Sequence, residues 1–333
     1  MTAELLHIEG LRTTFPAAGG EAAAVDGVSL RLARGRTLGI VGESGSGKSV
    51  LSLSLMRLLP PAARIRAGTI RFDGIDLLSL PEARMRALRG KRIAMIFQEP
   101  MTSLNPAYTV GDQVMEAIAA HEPAPRAELE ARAIAALTRV RIPDAARRFH
   151  DYPHLLSGGQ RQRVMIAMAL ACAPDLLIAD EPTTALDVTV QAEILDLLRT
   201  LQAETGMALI LITHDLGVVA EMADEVAVMY AGRVVEQAPV ETLFGDPQHP
   251  YTLGLLGSLP RLDGHTERLP TIEGTMPQAD ALPPGCRFHP RCVFAAPACA
   301  QGDVALRAIG AEHRVACLRA PVEASADAAV DAP

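Results

Sequence analysis

Residues 42–49 read Gly-Glu-Ser-Gly-Ser-Gly-Lys-Ser, a spacing suited to wrapping phosphate. Gly42, Gly45 and Gly47 let backbone N–H groups turn inward onto phosphate oxygens, with Glu43, Ser44 and Ser46 completing the loop. Lys48 is placed to reach the β- and γ-phosphates, and the Ser49 hydroxyl to ligate Mg²⁺. Val50 begins an apolar helical stretch whose positive end faces the same anion. A second cluster lies at Leu176-Leu177-Ile178-Ala179, an apolar run that ends in Asp180-Glu181. Asp180, at a strand end, would hold Mg²⁺ through its water shell. Glu181, one residue on, would polarise an attacking water as general base. The chemistry predicted is binding and hydrolysis of a nucleoside triphosphate.

These groups need a scaffold that presents them at strand ends. Thr37–Val41, Ile93–Phe97, Leu176–Ala179 and Ala208–Ile212 are short apolar runs of the kind found in buried strands. Val50–Leu59 and Val188–Leu201 have helical spacing. The alternation predicts an α/β fold with a P-loop NTPase core on a largely parallel sheet. Val110–Val140, rich in Ala, Glu and Arg, reads as a helical insertion. Beyond Val235 prolines come in quick succession, which places a boundary near residue 245. The expected division is 1–245 for the nucleotide-binding domain, with a helical subdomain at about 98–160. A small irregular Cys-rich domain follows at 246–320, then a frayed tail at 321–333.

The composition narrows the function classes. Hydrophobic residues make up 49% and charged residues 21% of the 333, which fits a globular chain rather than a disordered one. A formal charge of -8 argues against nucleic acid as a partner. The longest apolar run, Val164–Pro174, falls short of the roughly 18–20 residues that a bilayer requires. The N-terminal MTAELLHIEG lacks a basic start and an apolar stretch long enough for a signal peptide. The expectation is a cytoplasmic chain whose membrane role is peripheral.

Leu156-Ser157-Gly158-Gly159-Gln160 lies between the two clusters. As bare physics Ser157 is a helix N-cap, yet two glycines in a first helical turn lower helix propensity. Close approach of backbone to phosphate would account for them. This LSGGQ signature, after a P-loop and before an Asp-Glu strand end, resembles that of ABC ATPases. The resemblance implies ATP as substrate, sandwiched at a dimer interface where Ser157, Gly158, Gly159 and Gln160 meet the γ-phosphate held by the other subunit. It also implies that Gln98 is the Q-loop glutamine sensing Mg²⁺, and that Asp187, in Ala185-Leu186-Asp187, is in the D-loop. His214, in Ile212-Thr213-His214-Asp215, would be the switch histidine on the γ-phosphate, and Phe15 the aromatic that stacks on adenine, with a core place in a first small sheet as its alternative.

Phe97-Gln98-Glu99-Pro100-Met101-Thr102-Ser103-Leu104-Asn105-Pro106 resembles the dipeptide/oligopeptide importer branch, in its D-type ATPase subunit; His249-Pro250-Tyr251-Thr252 agrees. The branch implies two transmembrane permease subunits, an extracytoplasmic peptide-binding protein and a second, non-identical ATPase. The chain would sit on the cytoplasmic face of the inner membrane. Sister systems for nickel, glutathione or antibiotic peptides remain alternatives, as does a soluble ABC ATPase without a permease.

Four cysteines follow the spacing Cys286-x5-Cys292-x6-Cys299-x17-Cys317. A cytosolic cluster of this kind suggests a metal rather than disulfides. Zinc sites favour closer pairs, and the spacing also departs from ferredoxin runs. D-type subunits resemble this tail and carry a [4Fe-4S] cluster there, which is the implied cofactor; Zn²⁺ and buried free thiols are the alternatives. Arg287, Arg291, Arg314 and Arg319 stand nearby and could offset thiolate charge. Cys172 reads as an ordinary small core residue.

Overall fold

The computed structural model describes residues 4–98, 103–184, 186–259 and 272–321. Its twelve strands are β1 Glu4–Ala17, β2 Gly20–Ala33, β3 Thr37–Val41, β4 Arg64–Phe72, β5 Ile75–Asp76, β6 Ile93–Ile96, β7 Leu176–Asp180, β8 Ala208–Ile212, β9 Glu225–Tyr230, β10 Arg233–Pro239, β11 Arg307–Ala308 and β12 Arg314–Val315. They make two sheets, of order β2-β1-β4-β5 and β11-β12-β10-β9-β3-β8-β7-β6. The large sheet is parallel from β9 through β3, β8 and β7 to β6, and antiparallel across β9, β10, β12 and β11.

Every residue of β3, β7 and β8 is buried. Strands covered on both faces by other layers carry continuous apolar runs for this reason. Successive side chains point to opposite faces, so the two halves of each run enter different cores. Ile178, Ile210 and Ile40 pack with Leu6, Leu30, Leu51 and Phe72, between the large sheet and the small antiparallel one. Leu177, Leu209 and Leu211 face the other way and pack under Val114, Leu137, Val164 and Leu198.

The helical insertion lies between β6 and β7. It opens with two helices, Val110–Ala119 and Arg126–Arg139. Thr109 caps the first by accepting a bond from the Asp112 N–H, and Pro123 and Pro125 lie in the break. The opening β1–β2 hairpin, which carries Phe15, belongs to the small sheet, whose strand limits the sequence reading did not assign.

The segment after residue 245 is joined to the large sheet. β12 pairs with β10, with Val315 opposite Glu236. Glu236 is fully buried. It accepts bonds from the Gln248 and His249 N–H groups at 2.6 and 2.8 Å and lies 2.8 Å from His313 Nε2. Tyr251 and Phe288 share a third core with Val226, Val228 and Tyr230. Among the described residues no helix is long and apolar enough to cross a membrane.

Candidate nucleotide site

The turn after β3 leads into the helix Lys48–Met56. Gly42 and Gly47 have φ of 151° and 104°, and a Cβ on either would lie 2.2–2.3 Å from a backbone oxygen, of Met229 or Ala24. These two positions therefore require glycine. Lys48 is buried and folds back over its own loop, donating to the carbonyls of Gly42 at 2.6 Å and Glu43 at 2.9 Å. Burial lowers its pKa, while Glu181, Asp180 and Glu43 act in the opposite sense. Ser44 and Gly45 are exposed, Ser46 is buried, and Val50 packs at the edge of the core beneath.

Ser49 Oγ donates to Asp180 Oδ1 at 3.3 Å. Asp180 ends β7 with 4% exposure, and burial raises its pKa against the Ser49 bond. Glu181 follows in the left-handed region, φ 49°, held there by its N–H bond to the Ile212 carbonyl at 2.8 Å. A residue other than glycine in that region is uncommon and concentrates at functional sites. Its carboxylate accepts from Gln98 Nε2 at 3.0 Å and from Thr184 Oγ1 at 2.8 Å, and lies 3.4 Å from His214 Nδ1. Burial pushes the Glu181 pKa up, but the bonds from Thr184 and His214 outweigh it and hold the group below the usual carboxylate range.

The structure thus gathers Lys48, Ser49, Gln98, Asp180, Glu181 and His214 into one site. Thr184, which the sequence analysis did not single out, joins them through its bond to Glu181. Ser157–Gln160 and Asp187 lie outside this network. Ser157 and Gln160 form a reciprocal cap at the start of the helix Gly158–Leu170, with bonds of 3.1 and 3.3 Å. Asp187 caps the helix Val188–Thr205 through the Val190 N–H; Ala185 falls outside the described residues. A Cβ on Gly159 would come within 2.6 Å of Val190 Cγ1. The helix Val188–Thr205 therefore packs closely against that glycine. Phe15 is half-buried on β1 opposite Ala22. Of the stretch 97–106, residues 99–102 fall outside the described residues.

Cys286, Cys292, Cys299 and Cys317 all line one small cavity, with Phe288, Phe294 and Leu318. Burial raises the Cys286 and Cys317 thiols and pushes Cys292 up to about 11. Among the described residues no group of three or more His, Cys, Asp or Glu side chains is gathered closely enough to hold a metal ion. The arginines differ from expectation: Arg287 bonds to Asp26 and Arg291 to Glu43, so neither is free to offset thiolate charge. Cys172 is partly exposed, and its sulfur lies 3.9 Å from the Ala117 carbonyl.

A glycine-rich loop between a buried parallel strand and a helix, faced by a strand-end carboxylate, defines a P-loop nucleotide-hydrolysing protein. Residues 25–184 match the ABC transporter family, and residues 235–299 match the oligopeptide/dipeptide transporter C-terminal region. The chain is 51% identical over 322 residues to a Brucella abortus (strain 2308) protein named as a peptide import ATP-binding protein, covering 97% of each. A Brucella melitensis relative of the same description is 52% identical over 327 residues, covering 95% of this chain and 97% of its own. A solved dimer of the ATP-binding cassette MJ0796, in a post-hydrolysis state bound to ADP and Pi, matches with a TM-score of 0.64 and 28% identity, over 71% of this chain and 99% of that one. The cbiO1 protein of Clostridium perfringens, part of the ABC transporter complex cbiONQ, matches with a TM-score of 0.62 and 31% identity, over 73% and 91%. The chain belongs to the ABC transporter ATP-binding family, in its oligopeptide/dipeptide branch.

Proposed function

We propose that the chain is the ATP-hydrolysing subunit of a peptide importer, one half of a two-ATPase sandwich on the cytoplasmic face of the membrane. The observation that carries this reading is the convergence of Gln98, Thr184 and His214 on Glu181, beside Asp180, Ser49 and Lys48. Glu181 takes the proton of the attacking water, while Gln98 and His214 orient it. Its low pKa keeps it ionised, and the like charge of an arriving triphosphate raises it toward the range a base needs. Lys48 exchanges the Gly42 and Glu43 carbonyls for β- and γ-phosphate oxygens, held also by the N–H groups of residues 42–50. Phe15 stacks on adenine.

Asp180, buried and bonded to a hydroxyl, is a donor suited to a hard cation, and with Ser49 and Gln98 it would hold Mg²⁺. When bound, Mg²⁺ supplies neutralisation of phosphate charge. Ser157, Gly158, Gly159 and Gln160 bind the triphosphate held by the partner ATPase, and Asp187 crosses the same interface. Two permease subunits, a related but non-identical second ATPase and an external peptide-binding protein complete the assembly, with no nucleic acid. Residues 1–245 form the motor, with its helical subdomain at 98–160, and 246–320 the appended module, followed by the tail 321–333.

We further infer that Cys286, Cys292, Cys299 and Cys317 hold a [4Fe-4S] cluster. What supports this is the chemistry of the donors, four soft thiols lining one apolar cavity with backbone N–H groups directed at sulfur, as from Arg319 to Cys317 at 3.4 Å, although no three of them stand close enough to hold a metal ion as they are placed. Its role is structural, holding a proline-broken segment in place.

Glu181→Gln tests the motor. ATP binding should persist and the closed dimer accumulate, while hydrolysis falls about 10²–10⁴-fold, the range lost with a general base. Unimpaired turnover refutes the assignment.

A further inference from the structure

Glu43, the second residue of the phosphate loop, has all three of its polar groups engaged. Its carbonyl accepts from Lys48 Nζ at 2.9 Å. Its N–H donates to the Tyr251 hydroxyl at 2.8 Å, and its carboxylate accepts from Arg291 Nη1 at 3.0 Å. The last two partners come from the far end of the chain, 208 and 248 positions away.

Neither partner is placed casually. Tyr251 is fully buried, with its ring edge-on to Tyr230 at 4.7 Å. The Arg291 side chain is 6% exposed, against 30% for Glu43. Its remaining donors reach the carbonyls of Glu273 at 2.8 Å and Ile272 at 3.2 Å, and its guanidinium lies over the rings of Tyr230 and Phe288. A guanidinium fixed on several sides presents a rigid charge to Glu43.

We propose that Arg291 and Tyr251 are positioning residues of the phosphate loop, through which the C-terminal module sets the affinity of the chain's own ATP site. The inference rests on the reading that residues 42–49 hold the triphosphate. When Lys48 turns to phosphate, the Glu43 carbonyl keeps only the Ser46 N–H at 3.2 Å, a bond within the loop itself, and the ties that anchor Glu43 to the rest of the fold are those of Tyr251 and Arg291. The Glu43 carboxylate also carries the same sign as the nucleotide. Arg291 neutralises it; without Arg291 an uncompensated negative charge stands in the loop that must bind a polyanion. Arg287 adds a tie on the loop's other side, to the Ala231 carbonyl and Asp26, where the Gly232 N–H in turn donates to Ser46 O at 2.8 Å.

The test is the Kd of MgATP on the full-length chain, by displacement of a fluorescent ATP analogue. Arg291→Ala should raise Kd about fivefold or more, an effect of charge that shrinks as salt is added. Glu43→Gln in the Arg291→Ala background should bring Kd back to within about twofold of wild type, because the repelling charge is gone. A purely structural loss would not be rescued this way. A wild-type Kd for Arg291→Ala, or a double variant no better than the single, overturns the proposal. Should Arg291→Ala fail to fold, Tyr251→Phe keeps the ion pair and frees only the Glu43 N–H; its Kd should rise about threefold, as for loss of one modest hydrogen bond. A folded Tyr251→Phe with wild-type Kd overturns the proposal equally. Lys48→Ala separates the two readings: if it binds MgATP normally the loop is not the triphosphate site, whereas failure of the Arg291 and Tyr251 variants alone removes only the brace.

Discussion

Ser49 and Asp180, separated by 131 positions, meet side chain to side chain at 3.3 Å. The parallel sheet makes this possible. β3 and β7 flank β8 in the same direction, so the helix entered from β3 and the carboxylate that ends β7 arrive at one edge. Ligands of open α/β sheets bind at that edge, beyond the carboxyl ends of the strands.

Asp180→Asn should make the nucleotide-free chain more stable at neutral pH while abolishing hydrolysis. Burial raises the Asp180 pKa above its unfolded value, so the folded state binds its proton more tightly. The resulting penalty is absent below the unfolded pKa and complete above the folded one. Melting without Mg²⁺ should show a Tm gain of a few degrees at pH 7 that fades on acidification, a cost of function of the familiar kind. Equal Tm values at pH 7 would show that the buried charge carries no penalty.

His249 should make the fold acid-sensitive. It is completely buried, and burial lowers its pKa to about 3. Its Nδ1 accepts the Tyr251 N–H at 3.1 Å and so caps the helix Pro250–Gly257. The unfolded state takes up a proton near pH 6.5 and the folded state does not. Stability from this group is therefore full above pH 6.5 and falls as pH drops toward 3, by at most about 1.4 kcal/mol per pH unit. Urea midpoints between pH 7 and 5 should fall less in His249→Asn, where asparagine keeps the cap and loses the titration. Parallel profiles would exclude His249 as the source.

Cys292→Ser should lower expression or assembly and remove the brown absorbance of chain purified without oxygen. Stoichiometric zinc in a colourless wild type would rule out the iron–sulfur reading.

The parts of the fold legible in the sequence were those buried on both faces. β3, β7 and β8 are continuous apolar runs because two cores cover them. β1 and β2 were harder to read because their register shifts between Ile8 and Leu11 and again between Thr13 and Thr14, which breaks the two-residue alternation. The insertion at 110–140 keeps helical composition on both sides of its proline break, and so was legible as helical.

At the site, short motifs carried the information where backbone geometry was local, in the loop at 42–49 and the strand end at 180–181; the helix cap at 157–160, outside the site, was legible for the same reason. Tyr251 and Arg291 gave no such signal. Tyr251 stood out only as part of a branch marker and Arg291 only as a neighbour of Cys292. Their contacts with Glu43 depend on how a distant segment packs, which no local pattern encodes. The same holds for the close packing of Val190, on the next helix, against Gly159.

β10 would otherwise end the large sheet as a long strand with unpaired backbone groups, a template for another chain to zip onto. β12, itself two residues long, pairs with Glu236 and Gln237 in the middle of it, and β11 beyond is equally short. The terminal module thus blunts the sheet's open margin against self-association.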